Sequence, residues 1–166
     1  MALMHNMKIA RLEELTGYNF IDEQHARESL QAAGSPFAPT SDGNKRLAMK
    51  GDAILRFLII EDLYKANHTR GIPIHDIERW NNEGVTGSMQ TTISRVVANN
   101  NLDRVGRDLG LAHIINRAPS SPANVVSPTT MSATMEAILG AVWDDSTGDL
   151  SAIRLVAQNL GLWPEV

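Results

Sequence analysis

The sequence predicts an all-α fold. Two observations carry that expectation. Apolar residues recur at three- and four-residue spacing along most of the chain, the period of one helix face. Aromatic residues are only 5% of the 166, so the core is built mainly from Leu, Ile, Val, Ala and Met, which favours helices over a β-sandwich. The length suits one domain with a buried core.

Residues 8–16 place Ile9, Leu12 and Leu15 on one face, and Gly17 ends that helix. After a connector at 18–20, Asp22 is placed to cap a helix over 23–33 that stops at Gly34. Residues 35–43 hold two prolines and a glycine among small polar residues and read as a loop. The strongest segment is 44–66, where Ile54, Leu55, Leu58, Ile59 and Leu63 form a broad apolar stripe. A break at 67–73 precedes a short helix over 74–82, with Pro73 near its first turn. Helices follow over 88–98 and 102–109, interrupted at 99–101 and closed at Gly110. Residues 116–129 carry three of the seven prolines and form the longest irregular stretch. Helix returns over 130–144, with Met131, Met135, Ile138, Leu139 and Val142 on one side. A last helix over 150–160 ends before Gly161 and Pro164. The organisation expected is an N-terminal extension at 1–10, one domain at 11–162 and a short tail at 163–166.

Several function classes are excluded. The chain has no cysteine, so it has no disulfide framework, cysteine zinc finger or thiol nucleophile. His5, His25, His68, His75 and His113 show no metal-ligand spacing. There is no Gly-rich phosphate cradle, His-Glu-x-x-His or Gly-x-Ser-x-Gly. No apolar run approaches the ~20 residues of a membrane span, and no secretory signal is evident, so an intracellular location is expected. A net charge of −4 is not the global profile of an autonomous nucleic-acid binder.

Two segments stand out together: Asn44-Lys-Arg-Leu-Ala-Met-Lys-Gly-Asp-Ala-Ile-Leu-Arg and Met131-Ser-Ala-Thr-Met-Glu-Ala-Ile-Leu-Gly-Ala-Val-Trp. They resemble the two hallmark helices of the ribonuclease III family, Asn-Glu-Arg-Leu-Glu-Phe-Leu-Gly-Asp-Ala-Val-Leu and Ala-Asp-Ala-Leu-Glu-Ala-Ile-Ile-Gly-Ala-Ile-Tyr. Leu12-Glu-Glu-Leu-Thr-Gly-Tyr-Asn-Phe, with Leu30-Gln-Ala, resembles the family's opening. Asn101-Leu-Asp-Arg-Val-Gly-Arg-Asp-Leu-Gly-Leu resembles its middle. The likeness is collinear over about residues 11–162, and its nearest flavour is a small fungal group consisting of the nuclease domain alone. It implies an all-α homodimer that cuts double-stranded RNA with Mg2+ or Mn2+.

The family's chemistry implies four carboxylates per subunit, two from each hallmark helix. Residues three or four apart share a helix face, so paired acids can hold one cation. Magnesium takes hard oxygen ligands and activates water beside a clamped phosphate. The first pair falls at positions 48 and 52, here Ala48 and Asp52; the second at 133 and 136, here Ala133 and Glu136. Two of the four acids are therefore alanine. A further family acid falls at Lys45, and another near Ser88. Asp52 and Glu136 are the candidate catalytic and metal-binding residues. Lys45 and Lys50, within two turns of Asp52, are expected to disfavour a cation.

Rescue by nearby acids looks poor. Asp62 lies about 80° off the Asp52 face, and Asp144 and Asp145 sit two turns beyond Glu136. Asp76 and Glu78, in an apparent insertion, stay open as substitutes. So do bland roles: Asp52 bonding backbone or pairing with Lys45 or Arg56, and Glu136 as helix surface. Met49 takes the position of a family aromatic that plugs a partner subunit, or it is ordinary core. Phosphate contacts would come from Lys45, Arg46, Arg95 and Arg107, with Arg104 and Arg117 behind them. The chain leaves no room after the domain for the RNA-binding domain common in relatives, so RNA affinity should be modest and salt-sensitive.

The sequence thus carries two readings. One is a weak or unusual endoribonuclease. The other is a degenerate dimer that binds RNA or acts as a scaffold. A heterodimer with an active paralogue is a third arrangement.

Overall fold

The structure is a computed structural model that describes residues 2–69, 84–121 and 125–163. Among these residues it is helical and contains no strand. Seven α-helices are seen: α1 Ala2–Thr16, α2 Glu23–Ser29, α3 Lys45–Thr69, α4 Gly84–Val97, α5 Asn99–Asp108, α6 Pro128–Asp145 and α7 Leu150–Asn159, with a 3₁₀ turn at Leu111–His113.

Local chemistry explains most of the boundaries. Asp22 Oδ1 accepts the Gln24 N–H at 2.9 Å and starts α2. Ser127 Oγ accepts the Thr130 N–H at 3.1 Å, with Pro128 in the first helical position of α6. Asp149 Oδ1 accepts the Ser151 N–H at 2.8 Å at the head of α7. Gly17 ends α1 at φ 65°, a left-handed conformation that suits glycine.

Several boundaries depart from the sequence expectation, and α3 runs on to Thr69, into the break expected at 67–73. α1 begins at Ala2, six residues before the helix expected over 8–16. α2 stops at Ser29, four residues early, because the next residues pair with a distant segment. Asn116 N–H donates to Leu30 O at 2.8 Å, and Ala32 N–H donates to Asn116 O at 2.9 Å. α4 begins at Gly84. The break before α5 falls at Ala98 alone, so Asn99–Asn101 form the first turn of that helix. The short helix expected over 74–82 lies outside the described residues.

α6 is the centre of the molecule. Met131, Met135, Ala137, Ile138, Leu139, Ala141 and Val142 are fully buried along it, and it touches α2, α3, α5 and α7. A helix that is apolar nearly all round belongs inside. Its largest contact is with α3, whose inner face supplies Leu47, Leu55, Leu58 and Ile59. The buried Asn44, just before α3, ties this pair to α2. Its amide donates to Ser29 O at 2.7 Å and to Thr134 Oγ1 at 3.1 Å.

Candidate active site

The two hallmark segments meet where α3 crosses α6, and glycine sets the distance. A Cβ on Gly51 would collide with the backbone carbonyl of Glu136 and crowd Gly140 N. A Cβ on Gly140 would collide with the backbone carbonyl of Leu47. Residues 47 and 51, and residues 136 and 140, are each one turn apart, so main chain rests on main chain over a full turn.

This crossing puts the two retained acids into one electrostatic neighbourhood. Glu136 is half-buried on the central helix. Burial, and then the Asp52 charge, push its pKa up to about 7, while the Arg56 charge opposes the rise. Asp52 accepts from Arg56 Nε through both oxygens, Oδ1 at 2.8 Å and Oδ2 at 2.9 Å. Of the two partners the sequence offered Asp52, Arg56 is the one it takes. Lys45 instead approaches Asp42 at 3.9 Å.

The missing acids leave no hidden replacement among the described residues. Ala48 is buried in the core and Ala133 packs partly against it. Asp62 is bound by Arg154 at 2.6 Å. Asp144 is bound by Lys50 Nζ at 2.6 Å. Asp145 accepts the Tyr18 hydroxyl, the Ile21 N–H and the Asp22 N–H, each at 2.8 Å. Asp76 and Glu78 lie outside the described residues. No group of three or more His, Asp or Glu among those described could hold a metal ion. Magnesium is held by carboxylates together with water and phosphate oxygens; among the described residues the crossing offers Asp52, engaged by a guanidinium, and a half-buried Glu136, a poor fit to a resident ion.

One expectation changes in detail. Lys50 does not act on Asp52 as an unopposed charge, because Asp144 neutralises it. The cation at the site is Arg56.

The remaining candidates are scattered. Lys45 and Arg46 are exposed on the first turn of α3, and Arg95 is exposed near the end of α4. Arg107 is committed locally: it pairs with Asp103 at 2.8 Å and donates to Val126 O at 2.8 Å. Met49 is 77% exposed and therefore is not intrachain core. It continues into Ala53, Phe57, Ile60 and Tyr64, all exposed on the same side of α3. The sequence reading did not single out that stripe beyond Met49, though its three- and four-residue spacing was visible.

The ribonuclease III domain family model matches residues 45–147. This chain belongs to that family. It is 31% identical over 156 residues to ribonuclease 3 of Vibrio vulnificus, covering 93% of this chain and 60% of that protein. It is 29% identical over 151 residues to ribonuclease 3 of Vibrio campbellii, covering 90% and 58%. The chain thus spans about 60% of the length of these curated relatives. The fold is that of the nuclease domain of ribonuclease III from Campylobacter jejuni, with a TM-score of 0.72 at 19% identity, covering 95% of this chain and 97% of that one. A second Campylobacter jejuni structure superposes with a TM-score of 0.68 at 22% identity, covering 91% and 97%, and concerns a region involved in dimer formation.

Proposed function

We propose that this ribonuclease III domain is directed at double-stranded RNA as a homodimer, with metal-dependent cutting weak or lost. The observation that carries the reading is the composition of the crossing. Two of the four acid positions are alanine, and the retained Asp52 is held by Arg56. Two acids give a divalent ion half the ligands and half the compensating charge of four. RNA contact would be electrostatic, through Lys45, Arg46 and Arg95 first, with Arg107 less available. A-form RNA is recognised largely by shape and backbone, so a local patch can suffice.

The dimer reading has its own support. Met49, Ala53, Phe57, Ile60 and Tyr64 make an exposed apolar stripe on one helix, the kind of surface a partner subunit can cover. The Campylobacter jejuni neighbour is concerned with dimer formation in the same kind of domain. A second copy of this chain is the occupant proposed. Sedimentation should show a dimer that Phe57→Asp dissociates; a monomer at every concentration would instead favour the heterodimer.

The deciding assay for chemistry is cleavage of a long RNA duplex with Mg2+ or Mn2+. The natural chain should cut little or not at all, and Glu136→Ala should match it. The double change Ala48→Glu with Ala133→Asp should restore cutting. Efficient cutting by the natural chain, lost in Glu136→Ala, would establish the alternative of a working two-acid nuclease.

A further inference from the structure

The geometry points to Arg56 as a built-in counter-ion that occupies Asp52 and keeps a divalent cation out of the α3–α6 crossing. This rests on the reading that metal-dependent cutting is weak or lost, and it supplies a cause beyond the two alanines.

Arg56 stands one turn after Asp52 on α3, the favourable order for an acid–base pair along a helix. Its Nε reaches both carboxylate oxygens, at 2.8 and 2.9 Å. Those are the same oxygens a cation would have to take. The helix register makes the pairing local: Ala48, Asp52 and Arg56 lie in one row, four residues apart. With alanine at 48, the row carries one acid and one fixed cation.

The other charges nearby do not change this balance. Lys50 is turned to Asp144 and Lys45 toward Asp42. Asp62 faces Arg154. Among the described residues Glu136 is the remaining acid at the crossing, and it feels the charge of Arg56 as well as that of Asp52. A divalent ion entering here must displace a guanidinium from Asp52 and then sit beside it. A half-exposed ion pair is individually weak. It needs only modest strength, because two acids offer an incoming ion little in return.

The test uses the metal alone. Mn2+ is titrated into the natural chain, Arg56→Gln and Asp52→Asn at neutral pH and low salt, and free Mn2+ is followed by electron paramagnetic resonance. The natural chain and Asp52→Asn should both bind negligibly in the micromolar range, and Arg56→Gln should bind at least about tenfold more tightly. Two results overturn the inference: Mn2+ binding by the natural chain that Asp52→Asn abolishes, or Arg56→Gln binding no better than the natural chain. A second readout needs no variant. The Arg56 Nε–H resonance of the natural chain should be protected from exchange and indifferent to added Mg2+; its loss or shift on adding Mg2+ overturns the inference too. A chain that binds no Mn2+ yet cuts duplex RNA removes the functional reading and leaves Arg56 as assigned. A chain that binds Mn2+ without cutting does the reverse.

Discussion

Glu136 and Asp145 are two acids on one helix, and their surroundings give them opposite characters. Asp145, at the C-terminal end of α6, is 6% exposed. Burial alone would raise its pKa, but N–H groups of Asp22 and Ile21, the Tyr18 hydroxyl and the charge of His25 outweigh it and hold the pKa below the usual value. Glu136, at the centre of the same helix, receives no hydrogen bond from the described residues, and its pKa rises to about 7. Burial is thus common to both, and the supply of donors decides the outcome. An acid ringed by N–H and O–H groups is a structural anchor. One left half-buried beside another negative charge keeps its proton to higher pH.

Removing the anchor should cost most. Asp145→Ala strands three donors that hold the α1–α2 connection to the end of α6, and we expect a loss of about 3 kcal/mol in denaturant unfolding at fixed protein concentration. Glu136→Ala in the same experiment should change stability by less than about 1 kcal/mol, and equal losses would erase the distinction.

Gly51→Ala should follow, at about 2 kcal/mol, because its methyl meets backbone that cannot rotate away. It should also move the Glu136 titration measured by NMR, whereas Asp145→Ala should leave it in place.

The pH dependence separates the two acids by sign. The Asp145 pKa is lowered on folding, so its contribution is present above its ordinary value of 3.8 and is lost as pH falls through the folded value. The Glu136 pKa is raised, so its contribution is present below its ordinary value of 4.5 and is lost as pH rises through about 7. Glu136→Gln should therefore stabilise the chain at pH 8 by about 1–2 kcal/mol and leave it unchanged near pH 4. A flat difference across that range would mean that Glu136 is not perturbed. The smallest effect belongs to Arg56→Gln, which should raise the Glu136 titration point by a fraction of a unit, since Arg56 is the opposing charge.

What the sequence made legible was local or motif-borne. The Asp22 cap, the Gly17 stop and the period of α3 and α6 follow from residues a few positions apart. The meeting of Asp52 and Glu136 came through the resemblance, and the glycines beside them explain it physically. For Asp52 the sequence left backbone bonding, Lys45 or Arg56 open, and Arg56, one turn away, is the partner seen. The long-range ties were invisible. Asp145 binds groups 123 to 127 residues away, Asn44 reaches Thr134 90 residues away, and Lys50 reaches Asp144 94 residues away. Nothing in the spacing of such polar residues says which of many carboxylates or amides the packed core will bring near.

The glycine contact between α3 and α6 has a consequence for how such a domain can change its occupation. Because main chain rests on main chain there, the spacing of the two helices does not depend on the size of the side chains at 52 and 136, whereas Ala48 is part of the core beside them. A change of side chain at 52 or 136 therefore leaves the helix spacing to the glycines.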